Sequence, residues 1–418
     1  MTDYMKLSAF LVTALLTSIA VGLMSYTLVN QSRAPARAMQ VAIFPTGLSK
    51  AVLSRSSYSA RLSKDPQAMP TALERKLAEE GFAEEPLASA AFPVMFRALT
   101  VNGATDRASQ FLELASRVTR RENLVNVMLI DQALAENNPR RAITLLGRAM
   151  AVSYEMRSFY MNRMAAATGS PGALEALAPL LGNLPGWSTD YWNAILQVPA
   201  VAPQAGELRL RIAGPPWNLR EASDTDRTLI VQLGHANHFD LAYDLARSLG
   251  LKAPPAGAFL RNSDFSHAPQ FMPFDWELRQ TGEIGAAMER GSQGLFISSL
   301  PAANGVTADQ LALVPQAGRY RLNWKVSGIA AAPGAMLKFR LTCAERGKGG
   351  TPIAPVTLSE GDGSETVIVP PSDCRWYRAG IELDTTQSDA GVDVRLNRLA
   401  LSNDVRRSDD DQKTAVQH

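Results

Sequence analysis

The sequence has few of the residues that most catalytic and metal sites use. Its 418 residues include only four histidines and two cysteines, and 42 basic residues against 40 acidic ones leave a net charge of +2. The basic residues form no run or stripe, so nothing favours nucleic-acid binding. The chain also lacks a Gly-x-Ser-x-Gly elbow, a Gly-x-x-x-x-Gly-Lys-Ser/Thr phosphate loop and a Gly-x-Gly-x-x-Gly turn. We therefore predict no cofactor.

Metal and acid–base sites are also poorly supported. His235 and His238, with Asp240 nearby, form the one histidine cluster, but no third strong ligand follows at motif spacing. We predict a turn and a helix start there, and no metal. A glycosidase needs two carboxylates across a cleft. Strand alternation and turn positions explain the available acidic residues equally well, so we predict no catalytic residue; these residues are Asp275, Glu277, Glu283 and Glu289.

The chain opens with one long apolar run. Leu7–Val29 has 23 residues without a charged side chain, and about 20 apolar residues span a bilayer core. A cleavable signal peptide has a shorter apolar region with a small-residue site close behind it, whereas Ala36-Arg37-Ala38 lies well past the run. We favour an uncleaved transmembrane anchor over residues 1–32. The flanking charges are nearly balanced and do not fix its orientation.

The two cysteines lie in the same part of the chain. Cys343 and Cys374 are 31 residues apart in the C-terminal third. They form either a disulfide in an oxidising compartment or two unrelated buried thiols. The anchor offers a route out of the cytoplasm, which favours the disulfide.

The middle of the chain is predicted to be helical. Residues 33–68, with three prolines and many serines, suggest a juxtamembrane linker with at most one short helix. From 69 to 256, leucine and alanine recur at three- and four-residue spacings, with turn residues at 102–103, 137–139 and 169–172. Residues 199–226 are rich in proline and glycine, and the alternating segment 207–212 suggests a strand or a surface loop.

An internal echo indicates helical repeats. Residues 108–115 align with residues 142–149 at an offset of 34, and each segment follows an Asn-containing turn. A period of 34 residues is that of tetratricopeptide repeats, and this stretch resembles that family, although most consensus Trp, Gly and Tyr positions are absent. Residues 238–250 look like the second helix of one more repeat, ended by Gly250. The alternative is a generic helical bundle.

From residue 257 the apolar period changes to two. Eight alternating segments, separated by Gly, Pro, Ser and Asp, predict an antiparallel two-sheet jelly roll over residues 257–402. The expected strands are Phe274–Leu278, Gly294–Leu300, Gln310–Val314, Tyr320–Ser327, Met336–Cys343, Glu365–Val369, Arg375–Leu383 and Val392–Leu401. The charged, polar residues 403–418 predict a disordered tail. The fold class is thus α+β and multidomain.

This last domain contains two distinctive sequence motifs. The first is Phe259-Leu-Arg-Asn-Ser-Asp-Phe265 followed by Pro273-Phe-Asp-Trp276, and the second is Gly318-Arg-Tyr320-Arg-Leu. These motifs resemble those of carbohydrate-binding modules, and the resemblance implies a flat aromatic platform on which sugar rings stack, with polar side chains beside it. We expect Trp276 and Trp324 to fill the core. The candidate glycan-binding residues are Trp376, Tyr377 and Tyr320. Since Trp376 and Tyr377 are adjacent in a predicted strand, one of the two should be exposed.

The predicted parts together resemble tetratricopeptide-type membrane proteins found with exopolysaccharide machinery in alphaproteobacteria. The resemblance implies a single-pass protein of the bacterial inner membrane, with the bulk of the chain in the periplasm. We expect a non-enzymatic protein that binds or scaffolds, with a protein partner on the helical repeats and a polysaccharide on the sandwich. The alternatives are a pure protein–protein scaffold and a cryptic glycan-modifying enzyme.

Overall fold

Leucine- and alanine-rich segments fold as helices, and the alternating segments after them fold as strands. The computed structural model describes residues 2–44, 46–288 and 293–404, with the backbone alone for residues 2–6. In chain order the helices are α1 (Thr2–Asn30), α2 (Pro35–Val41), α3 (Gly47–Leu62), α4 (Ala72–Glu84), α5 (Phe92–Val101), α6 (Thr105–Val118), α7 (Asn123–Ala135), α8 (Pro139–Val152), α9 (Arg157–Ala167), α10 (Ala173–Gly182), α11 (Ser188–Ile195), α12 (Ala202–Ala213), α13 (Asp224–His235) and α14 (Phe239–Ser248).

The chain divides into two compact units. The first comprises Met1–Leu180 with Leu184–Tyr191, and the second comprises Leu181–Asn183 with Trp192–His418. The predicted boundary between residues 256 and 257 therefore falls inside the second unit. The physical reason is that α14 packs on the sandwich, as the contacts of Trp376 below show.

Helix α1 contains the predicted anchor. Its segment Leu7–Asn30 is the one stretch in the described part of the chain that is long and apolar enough to cross a membrane, and its most apolar 18 residues include no buried one. An N-terminal signal sequence can satisfy the same criteria, so they do not distinguish a retained anchor from a cleaved one. The structure thus agrees with the apolar run Leu7–Val29, while the periplasmic orientation stays a prediction.

The predicted linker 33–68 is largely helical and packed. Pro35 occupies the first turn of α2, where its missing N–H costs nothing. Tyr58 of α3 is completely buried in a cluster with residues of α4 and α5. Helices α3 and α4 also cross closely, because a Cβ added to Gly81 would lie 2.8 Å from the carbonyl oxygen of Gly47. Pro35 thus starts a helix, and the serines Ser49 and Ser54 are buried inside α3 instead of preventing it.

The helices that follow show the spacing of the sequence echo. Helix α6 begins at Thr105, α8 at Pro139 and α10 at Ala173, so consecutive starts in this series are 34 residues apart. Helices α5 and α6 pack together, as do α7 and α8. The structure confirms a helical N-terminal part, while the tetratricopeptide assignment stays a prediction.

The alternating segment 207–212 is helical, contrary to the predicted strand or loop. It lies inside α12, where Leu208 and Ile212 are four residues apart and share one buried face. Arg209 between them is buried because Asp226 pairs with it at 2.7 Å. The buried, ion-paired Arg209 next to Leu208 therefore produces a polar–apolar alternation in the sequence although the segment is helical.

The second unit ends in two five-stranded antiparallel sheets. Sheet A has the order β2-β3-β10-β5-β8, and sheet B has the order β1-β4-β9-β6-β7. The strands are β1 (Glu277–Leu278), β2 (Ile284–Met288), β3 (Leu295–Ser299), β4 (Asn304–Leu313), β5 (Gly318–Ser327), β6 (Met336–Cys343), β7 (Val356–Thr357), β8 (Gly361–Val369), β9 (Trp376–Asp384) and β10 (Val392–Asn403). This arrangement confirms the predicted antiparallel β-sandwich.

Each predicted strand corresponds to an observed one, but several bounds differ. Strand β4 starts six residues before the predicted Gln310 and contains a register shift between Val306 and Ala308. Strands β2 and β7 were not predicted. The predicted tail begins too early, because Asn403 belongs to β10 and Asp404 pairs with Arg321 at 2.8 Å. The rest of that tail lies outside the described residues.

The sandwich core lies between the inner faces of the sheets, and the disulfide closes one end of it. Trp276 and Trp324 are buried in the core cluster, as predicted. Cys343, the last residue of β6, is bonded to Cys374, which stands two residues before β9. The predicted disulfide is therefore confirmed.

Replacing both cysteines, as Cys343→Ala with Cys374→Ala, should destabilise the second unit by about 3 kcal/mol, because the bond closes a loop of 31 residues in the unfolded chain. Guanidinium unfolding measures this loss. A reductant should lower the midpoint of the wild type and leave the double variant unchanged. Equal midpoints for wild type and variant in the absence of reductant would contradict the prediction.

A second prediction concerns Asp384 at the end of β9. Hydrogen bonds from the Thr386 hydroxyl and the Lys338 ammonium lower its pKa to about 2. A lowered folded-state pKa gives stability that is present above about pH 4 and is lost as the pH falls towards 2. Unfolding curves at pH 6, 4, 3 and 2 should show this loss in the wild type and a smaller pH dependence in Asp384→Asn. The same slope in both proteins would contradict it.

Candidate functional site

The three predicted glycan-binding aromatics are all buried. Trp376 is 1% exposed, Tyr377 is 3% exposed and Tyr320 is 4% exposed. Stacking on a sugar requires an accessible ring face, so none of these rings offers a platform in this structure. The expectation that Trp376 or Tyr377 is exposed is not met, because both faces of β9 are covered at that point.

Trp376 points outward from sheet B, but α14 covers it. Its ring centroid lies 6.2 Å from that of Phe239 and 5.3 Å from that of Tyr243, and Phe274 packs at 5.5 Å. The indole Nε1–H donates a hydrogen bond of 2.9 Å to Asp240. Buried tryptophans usually find such an acceptor. This aromatic cluster joins α14 to one end of the outer face of sheet B.

Tyr377 and Tyr320 point inward to the sandwich core. The hydroxyl of Tyr320 donates a hydrogen bond of 2.5 Å to the carbonyl oxygen of Gln316, and burial raises the pKa of this phenol. The hydroxyl of Tyr377 lies 3.2 Å from that of Ser372. Both rings therefore fill the core and satisfy their polar ends there.

The histidine cluster lies at the junction of α13 and α14. His238 precedes the first turn of α14, as predicted, and His235 is the last residue of α13. Asp240 accepts from Trp376 and pairs with Arg375 at 3.5 Å. Across the described residues, no group of three or more His, Cys, Asp or Glu side chains is placed to hold a metal ion.

The candidate carboxylates do not share one environment. Asp275 is buried, pairs with Arg261 at 3.0 Å and accepts the backbone N–H groups of Gln270 and Phe271. It therefore holds the loop before β1 in place. Glu277 and Glu283 line an open cleft. Glu289 lies outside the described residues.

This cleft is on the outer face of sheet B, on strands β4, β9 and β6. Its volume is about 890 Å³, within the range of about 300–1,000 Å³ that small-ligand sites usually have. Backbone and side chains of β1, the β1–β2 turn, β4, β6, β9 and the end of α13 form its wall. The lining residues are His235, Glu277, Arg279, Thr281, Gly282, Glu283, Ile284, Asn304, Gly305, Val306, Asp309, Arg340, Thr342, Arg378 and Gly380.

A glycine in β9 leaves the middle of the cleft floor free of side chains. Gly380 pairs with Asp309 of β4 on one side and with Arg340 of β6 on the other. A Cβ added at Gly380 would meet a single atom within 4 Å, the Val306 Cγ1 at 3.9 Å. The residue therefore opens space towards the cleft, since its neighbours in β9 point to the core.

An acidic side chain fixes two arginines beside this gap. Asp309 is 1% exposed and accepts from Arg279 Nε at 2.9 Å and Nη2 at 2.8 Å, while Arg378 donates to its other oxygen. Hydrogen bonding to Asp309 raises the pKa of Arg279, which stays charged. Since a guanidinium has five N–H donors, both arginines keep donors that Asp309 does not use.

The cleft is thus a polar surface with fixed donors and acceptors. Its lining includes no Phe, Tyr or Trp side chain, so it differs from the aromatic platform that the sequence predicted. Arginine, carboxylate, Asn and Thr side chains suit a ligand with many hydroxyl or charged oxygen groups. The sequence signal for these residues was the alternation of β9, in which Trp376, Arg378 and Gly380 face outward.

Comparisons with known proteins give similar solved structures and no family. No protein-family model matches the sequence, and no curated protein matches it. Three similar solved structures are TmCBM61 in complex with β-1,4-galactotriose, the CBM22-1 xylan-binding domain of Xyn10C from Paenibacillus barcinonensis, and the enzymatically active domain of tailspike protein 4 from bacteriophage CBA120.

The likeness to these structures is low in sequence and partial in coverage. TmCBM61 is 13% identical and matches over 34% of this chain and 97% of its own, with a TM-score of 0.24. The xylan-binding domain is 16% identical and matches over 36% of this chain and 97% of its own, with a TM-score of 0.25. The tailspike domain is 12% identical and matches over 36% of this chain and 22% of its own, with a TM-score of 0.26. At TM-scores of this size, the likeness carries no argument about what this chain binds.

The contact between α14 and sheet B gives a direct prediction. Asp240→Ala should lower the free energy of unfolding of the second unit by about 1–2 kcal/mol, because the buried indole N–H of Trp376 loses its acceptor. Asp240→Asn keeps an oxygen acceptor and should cost less. Denaturation followed by tryptophan fluorescence measures both values.

A double-mutant cycle provides the control for this prediction. In a Trp376→Phe background there is no indole donor, so Asp240→Ala should cost close to nothing. An equal cost of Asp240→Ala in both backgrounds would show that the hydrogen bond does not hold α14 on the sheet.

Proposed function

We propose that this chain is a non-enzymatic, membrane-anchored protein that binds a glycan in the cleft on the outer face of sheet B. The observation that carries the proposal is the gap at Gly380, bordered by the fixed network of Asp309, Arg279 and Arg378. Sugars present hydroxyl groups on all sides, and a rigid set of guanidinium donors and carboxylate acceptors can bind them without large reorganisation.

The cleft also has the accessibility that a polymer requires. Arg340 is 50% exposed and Arg279 is 45% exposed, so the polar groups are open to solvent on one side. A chain longer than the cleft can extend beyond it at an open surface. Weak binding at such a site gains from tethering several copies to one membrane, because neighbouring sites on a polymer are then engaged together.

The helical unit completes the proposed role. A groove of about 480 Å³ in the first unit is lined by apolar side chains such as Phe96 and Met128, together with Arg97 and Asp131. We assign this groove to a protein partner in polysaccharide export or cell-envelope assembly. Helix α1 would tether the protein to the bacterial inner membrane, with the bulk of the chain in the periplasm and no contact with nucleic acid.

Two other functions make different demands on the cleft. A pure protein–protein scaffold would bind no polysaccharide and would be insensitive to changes at Gly380. A glycan-modifying enzyme would release new reducing ends from a polysaccharide, and Glu277 and Glu283 are the lining carboxylates to replace in that case. A reducing-end assay on the intact protein with a panel of acidic and neutral polysaccharides distinguishes such an enzyme from a protein that only binds glycan.

Filling the gap tests the proposal without disturbing the core. Gly380→Val places a branched side chain in open space within a strand, where valine is favoured over glycine. We expect binding to at least one polysaccharide in a panel of acidic and neutral polymers to weaken at least tenfold, with an unfolding midpoint that is no lower than that of the wild type. Affinity electrophoresis of the full chain in detergent measures the binding.

Gly285→Val is the matched control. Gly285 also lies in a strand, and a Cβ there would meet nothing closer than 3.8 Å, but it is not part of the cleft lining. This variant should bind like the wild type. Undiminished binding by Gly380→Val would place the glycan elsewhere, and no binding of any polymer by the wild type would favour the scaffold.

A further inference from the structure

We infer that the cleft selects a glycan whose sugar units carry carboxylates, with one carboxylate placed over Gly380 between Arg340 and Arg378. This inference rests on the proposed function and names the chemistry of its ligand. It comes from the distribution of charge across sheet B, which is uneven along the line of strands from β1 to β6.

The lining side chains give the two sides of the cleft opposite net charges. On the β1 side, Glu277 of β1 and Glu283 of the turn after it outnumber Arg279, which lies 3.9 Å from Glu277. Arg378 lies in β9 and Arg340 in β6, on the far side of β4. The strand order β1-β4-β9-β6 therefore produces a gradient from negative to positive across the cleft. An anionic group is repelled from the β1 side and attracted to the β6 side.

The gap itself adjoins the positive side. Arg340 is the direct cross-strand partner of Gly380, and Arg378 precedes Gly380 by two residues on the same face of β9. The missing side chain at Gly380 lets a ligand group approach both guanidinium groups. A planar carboxylate matches the parallel N–H donors of a guanidinium better than a hydroxyl does.

The acidic partners of these arginines leave donors free for a ligand. Asp309 is buried beneath the cleft and pairs with both Arg279 and Arg378, while Glu277 lies 3.9 Å from Arg279, so these four charges sum to zero. Asp309 is 1% exposed and Arg378 is 38% exposed, so the guanidinium of this pair, and not the carboxylate, faces the cleft. Glu382 pairs with Arg340 but is outside the cleft lining, whereas Arg340 remains half exposed. The floor around Gly380 thus keeps positive charge facing the ligand.

The test compares polymers that differ only in charge. The full chain in detergent is titrated with polygalacturonate, with the same polymer after methyl esterification, and with alginate. We expect at least one polyuronate to bind at least tenfold more tightly than the esterified polymer at low salt, with the difference shrinking as salt rises. Arg340→Gln should remove most of that difference, because it weakens binding of the polyuronate more than binding of the esterified polymer.

Arg398→Gln is the matched control variant, because Arg398 lies in β10 on the other sheet and does not line the cleft. It should preserve the preference for polyuronates. Unfolding curves confirm that both variants are folded, since a partly exposed strand arginine contributes little to stability.

Each other outcome overturns a defined part of the inference. Equal binding of the charged and esterified polymers, abolished in both cases by Gly380→Val, would keep the glycan site and reject the carboxylate. Poly-glutamate that binds as tightly as the polyuronates, with the same loss in Arg340→Gln, would indicate an acidic peptide ligand. Binding of none of these polymers, nor of the neutral ones, would reject the proposed glycan site itself.

Discussion

The second unit depends on how one face of sheet B is shared between a helix and solvent. At one end of that face, Trp376 is enclosed by α14 and donates its indole N–H to Asp240. A tryptophan with an unpaired, buried N–H would be costly, so helix and sheet stabilise each other. This contact turns what would be an exposed aromatic side chain into part of a joint between helices and sandwich.

The covering of Trp376 decides what the remaining face can recognise. Two strand positions further along β9, the outward residue is Arg378, and two further it is Gly380, so aromatic surface gives way to charge and then to open floor. The accessible surface is therefore polar, with Asp309 holding its arginines in place from below. In the proposed function, this surface therefore binds its ligand through fixed hydrogen bonds and charge and not through stacking on an aromatic ring.

The sequence predicted the strand alternation well because period two is a local property, and Met336–Cys343 was found at its predicted bounds. The predictions of a linker at residues 33–68 and of a strand or loop at residues 207–212 were wrong, because the local sequence does not show which residues of other elements will bury a segment. Asp226, the buried partner of Arg209, is one such residue. The predicted aromatic platform is absent for the same reason. Alternation put one of Trp376 and Tyr377 outward correctly, but only the fold shows that α14 covers it.

Arginine-selective labelling with phenylglyoxal, read out by mass spectrometry, tests the central claim most directly. Arg340 is half exposed in the cleft and should react readily in the free protein. Saturation with a bound polysaccharide should protect Arg340 and Arg378 while leaving Arg398 as reactive as before. Protection confined to arginines outside the cleft, or unchanged labelling of Arg340 at saturation, would contradict the assignment of the binding surface to this face of sheet B.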